Sequence, residues 1–156
     1  MATTGYRTIL IRGGTDNSFN REEKLAGEAN IKPGHLLAIS SGAAIKHATA
    51  DGVQQALVAI ENAAAESATA ANIDIAYTNG DTLHYVVGKP GDVLYMWLAT
   101  ANDAVEGVSQ LVSNGDGTLK LATVAAGTLT GAVVGVPAES LNNTSGAAAR
   151  LAVRLI

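Results

Sequence analysis

A chain of 156 residues with mean hydropathy +0.20 has room for one domain and an extra arm. It contains no cysteine, which excludes disulfides, thiol catalysis and cysteine-ligated zinc. Its net charge of −4 is uneven, +2 over residues 1–46, −8 over 47–119 and +2 over 120–156, and an acidic body of that kind disfavours nucleic acid as a partner.

Tyr6 to Arg12 is rich in β-branched residues and closed by Gly13-Gly14, which predicts a short strand. Asp16 to Asn30 is polar and predicts one helical turn, capped by Asn20, with Glu22 and Glu23 at its positive end and Gly27 to stop it. So short a helix needs a surface to dock on. Residues 1–30 are therefore expected to form an N-terminal arm, and residues 31–156 the folded domain.

Pro33-Gly34 signals a turn, followed by a strand over His35 to Ser40, a loop at Ser41-Gly42 and a short returning strand over Ala43 to Ala48. Val53 to Ala71 is ambiguous: its alanines favour helix, while Ala56 to Ile60 also fits a buried strand, and the strand is preferred up to Ile60. Gly80-Asp81 and Gly91-Asp92 each open an apolar strand, with Gly supplying positive φ and Asp bonding the turn backbone. Asn114-Gly115-Asp116-Gly117 predicts a hairpin between Val108–Leu111 and Thr118–Val124. A further strand is expected from Gly131 to Val136. Arg150 to Ile156 alternates, with Leu151, Val153 and Leu155 on one face and Arg150, Ala152 and Arg154 on the other. Short strands divided by Gly and Asn turns indicate an all-β sandwich or small barrel with at most one or two short helices.

The residues that could carry chemistry have structural explanations. His35, His47 and His84 lack the spacing of a metal site, and no nucleophile elbow or phosphate loop is present. Asp81 and Asp92 are accounted for by turn stabilisation, and Asn114 to Gly117 lacks the closing Glu of a calcium loop. Trp97 in an apolar strand is expected in the core. No run approaches the ~18 apolar residues that span a bilayer, and no signal peptide is recognised, so a soluble product made in the cytoplasm is expected. With 15% charged residues against the roughly 25% of ordinary domains, and with 29 alanines, part of the surface is expected to lie against other subunits.

The ordered series Ile31-Lys32-Pro33-Gly34-His35-Leu36-Leu37, Lys46-His47-Ala48, Ala56 to Glu61, Ile73 to Tyr77 with Gly80-Asp81, Gly91-Asp92 and Leu98-Ala99 resembles head decoration (capsid cement) proteins of tailed bacteriophages. Gly135-Val136 through Asn142-Asn143 to Leu151–Arg154 resembles their C-terminal strand region, so the likeness covers about residues 30–156. The Ala63 to Ala71 insert departs from the pattern, where a shorter, more charged connection would stand. The resemblance implies a β-tulip domain with an N-terminal arm and no catalytic residues or cofactor. It also implies attachment to the major capsid protein on the virion exterior, as a homotrimer or dimer made in the bacterial cytoplasm. In that setting Tyr6, Ile9, Ile11 and Phe19 are expected to supply apolar contacts, while Thr8 to Arg12 pairs with a neighbouring chain or within its own domain. Pro33, Gly34, Gly80, Asp81, Gly91, Asp92, Gly115 and Gly117 are assigned to turns. A phage receptor-binding or fibre-associated β module is the rival reading, and a small hydrolase a distant third.

Overall fold

A computed structural model describes residues 6–14, 16–52, 55–62 and 70–156. Fifteen strands and one 3-10 turn, Asn72–Asp74, make up the regular structure of those residues, so the all-β expectation holds. Two sheets carry the fold. The first contains β1 (Leu10–Arg12), β7 (Val93–Leu98), β10 (Leu119–Leu121), β9 (Leu111–Ser113), β13 (Val133–Pro137) and β15 (Ala149–Leu155), in that order. Because β15 also pairs with β7, from Ala149 opposite Leu98 to Arg154 opposite Val93, five of these strands close into a barrel.

The second sheet is antiparallel throughout: β2 (Asn20–Leu25), β6 (Thr82–Val87), β5 (Leu57–Ala59), β3 (Leu36–Ser40) and β4 (Ala43–Lys46). Its two ends meet at a bridge between Ala26 and Ala44. Two ribbons stand apart from these sheets, β8 (Asn102–Ala104) with β14 (Leu141–Asn143), and β11 (Thr123–Ala125) with β12 (Thr128–Thr130).

Side-chain alternation explains the barrel. Leu94, Met96 and Leu98 of β7 and Leu151, Val153 and Leu155 of β15 point inward, while Val93, Tyr95 and Trp97 point out. The central strands of the second sheet are apolar on both faces. Leu36, Val58 and Val86 pack onto the barrel core, and their neighbours Leu37, Leu57, Ala59 and Tyr85 enter a second core with Ile31, Tyr77 and Leu83. That is why β5 and the start of β3 read as continuous apolar runs instead of alternating ones, while β2 at the end of the sheet is polar and exposed.

The described residues before Ile31 differ from expectation. Asn20–Leu25 is a strand with six register partners on β6, not a helical turn, and β1 pairs with β7 of the same chain. Residue 30 therefore does not divide an arm from a body. The helix expectation failed because pairing along β6 satisfies the backbone of Asn20–Leu25, overriding a local capping signal that one short turn cannot exploit. The strand preferred before Ile60 is present as Leu57–Ala59, whereas residues 53–54 and 63–69 of the ambiguous segment lie outside the described residues. The hairpin at Asn114–Gly117 joins Leu111–Ser113 to Leu119–Leu121, so its first arm starts later than expected.

Candidate interaction surfaces

The expected turn residues all occupy turns. Gly34, Gly80, Gly91, Gly115 and Gly117 have φ between 86° and 93°, which glycine adopts without the Cβ penalty. At Gly34 a Cβ would also lie 2.7 Å from the Tyr95 carbonyl oxygen, so backbone approach reinforces the requirement. The Pro33 carbonyl accepts hydrogen bonds from Trp97 Nε1 at 2.8 Å and Arg150 Nε at 3.1 Å. Asp81 accepts the Thr78 amide. Asp92 is wholly buried and accepts the Lys89 amide at 2.9 Å and the Gly14 amide at 2.8 Å.

The six expected contact residues separate into different environments. Ile9 has no exposed surface and belongs to the barrel core, so it is removed from any contact set. Its carbonyl accepts the Tyr95 amide and its own amide donates to Glu61. Phe19 is half-buried against the same core. Thr8 is exposed. Tyr6, Ile11 and Arg12 line an open groove of about 670 Å³ on the outer face of the barrel. Tyr6 is 41% exposed and meets the Tyr95 ring edge-on, with centroids 5.2 Å apart. Arg154, not singled out from sequence, joins them there; its outward place in the alternation of Arg150 to Ile156 was the available signal.

Further along the same face Trp97 is half-buried instead of in the core. Arg150 stacks on its ring at 4.2 Å and Lys32 lies 5.2 Å from its centroid. Arg150 is already committed, with an ion pair to Asp74 at 2.8 Å and a hydrogen bond to the Ile73 carbonyl. This end of the face is a structural clamp. His35, with Nδ1 accepting the Lys32 amide, and His47, 2.7 Å from the Ser113 hydroxyl, are buried with partners.

A second surface was not anticipated. The β11–β12 ribbon lies outside both sheets, and its cross-strand pair Val124 and Leu129 is 67% and 37% exposed. Val108, 78% exposed, faces them across an open groove of about 410 Å³. From Leu121 to Ala138 the chain has no charged side chain, a feature visible in the sequence. Exposed strand edges are normally blunted by charge or proline, and an isolated two-stranded ribbon is marginal in water. No protein-family model matches the chain, and no curated protein matches it.

Proposed function

We propose that this chain is a structural virion protein that binds the outer surface of an icosahedral phage capsid and stabilises contacts between major capsid protein subunits. The observation that carries the reading is the uncharged β11–β12 ribbon, which offers Val124, Leu129 and Val108 to a partner together with unprotected strand edges. A small β-barrel and the ordered likeness to head decoration proteins support the same assignment. The ribbon docks on the shell, burial of its apolar side chains provides the affinity, and no catalytic step is assigned to the chain. Association with copies of itself multiplies such contacts.

Electron cryomicroscopy of particles carrying the chain should find it in many copies over the head. In sedimentation with shells of the same virus, Val124→Glu combined with Leu129→Glu should weaken attachment by at least about tenfold. The unfolding midpoint of that variant should change little, since the ribbon contributes no residue to either core and the like-charge pair acts within the ribbon. Copies confined to the tail would support the fibre-associated module instead, and undiminished attachment of the double variant would remove the ribbon from the interface.

A further inference from the structure

The groove on the outer barrel face is cationic in a chain whose net charge is −4. Arg12 on β1 and Arg154 on β15 both pair in register with Val93 on the strand between them. Register partners project from one face, so the two guanidinium groups flank Val93 with their Cα atoms roughly 10 Å apart, two strand spacings. Both arginines are exposed, and neither side chain has an ion pair or hydrogen bond among the described residues. Lys89, Lys120 and Arg150 each have an aspartate at 2.8 to 3.1 Å, and what sets Arg12 and Arg154 apart from the remaining unpaired cations is that they share one groove.

The backbone is shaped to this end. Leu10 pairs with Leu94 and Arg12 with Val93, so β1 advances two residues while β7 advances one. A bulge of this kind re-aims side chains. Here it lets Ile11 and Arg12, consecutive in sequence, line the same groove, which regular alternation forbids. Tyr6 and Ala152 supply the apolar lining. Glu139, next to the groove, directs one carboxylate oxygen to the Ala152 amide at 2.7 Å.

We infer that this groove is a binding site for an acidic segment of a partner protein, whose carboxylates are held by Arg12 and Arg154 while its backbone and apolar atoms lie on Tyr6 and Ile11. Two unpaired guanidinium groups, each able to grip a carboxylate bidentately, fit this chemistry better than a neutral or cationic ligand. An open groove suits a chain segment laid across it, and the local positive field of Arg12 and Arg154 acts against the repulsion of an acidic ligand by the acidic remainder of the molecule. The inference does not depend on attachment to a capsid, because the ribbon is a separate surface.

The test uses the purified full chain and a fluorescent hexaglutamate peptide, followed by anisotropy. Saturable binding is expected in about 20 mM salt and strong weakening in about 300 mM. Arg12→Gln and Arg154→Gln should each weaken binding by about tenfold, and the pair should abolish it. Arg21→Gln, on the second sheet, should change nothing, and circular dichroism should show all variants folded. Absence of saturable binding at low salt overturns the site. So does equal weakening by Arg21→Gln, which would mark a diffuse charge effect. Competition by citrate or inorganic phosphate at concentrations where free peptide of the same charge fails overturns the peptide assignment.

Discussion

Asp92 joins two turns that are far apart in sequence. One carboxylate oxygen takes the Lys89 amide within its own turn and the other takes the amide of Gly14, which follows β1. The Asp92 side chain has no exposed surface, so its two oxygens depend on these amides in place of water. Asp92→Ala should therefore destabilise the chain by about 2–4 kcal/mol, and Asp92→Asn by less, since one acceptor oxygen survives. Denaturant titration of the three proteins gives the comparison; an Ala variant within about 0.5 kcal/mol of the parent would show that these bonds are expendable. Gly-Asp was readable as turn chemistry, but its reach to Gly14 was not, because that partner is set by where β1 ends in space.

At the scale of elements, β1 and β2 tie the described residues before Ile31 to the two sheets. Ile9 fills the barrel core, and Leu10 and Arg12 pair with β7. Deleting residues 1–14 should accordingly lower stability by at least the ~2–5 kcal/mol associated with removing one buried large aliphatic side chain. A shift of the urea midpoint measures it, and an unchanged midpoint would restore the detachable arm. The β11–β12 ribbon presents the opposite case. It contributes no residue to either core, and its turn places Ala126 at φ 50° beside Gly127 at φ 80°, positions usually given to Asn-Gly.

For the whole molecule, pH acts through buried histidine. Burial pushes the His35 ring from 6.5 down to about 4, and the nearby Lys46 and Lys32 add repulsion, while Asp116 opposes them and Arg150 assists. His47 is shifted down by burial as well. The unfolded chain binds the His35 proton first as pH falls, so stability is fully present above about pH 6.5 and declines as pH drops toward 4. The His35 share of that loss is about 3 kcal/mol. Denaturant titrations across this window should show the slope, and His35→Gln should flatten it even if its stability near pH 7 is lower. A parallel slope in the variant would place the proton elsewhere.

The amino-acid order by itself determined the β class, most strand positions and the turns, because alternation, β-branching and Gly, Asn and Asp punctuation act over a few residues. The alternation of Arg150 to Ile156 already placed Leu151, Val153 and Leu155 together. Tertiary structure alone decided that Asn20–Leu25 is a strand, that Ile9 is core and that Trp97 lies under Arg150. Each of these depends on a partner more than fifty residues away, β6, β7 and β15 respectively. Local propensity carries no term for such a partner, and burial against it outweighs a capping signal or a hydrophobic count. The same holds for the groove: Arg12 and Arg154 become one site only because β1 and β15 flank β7.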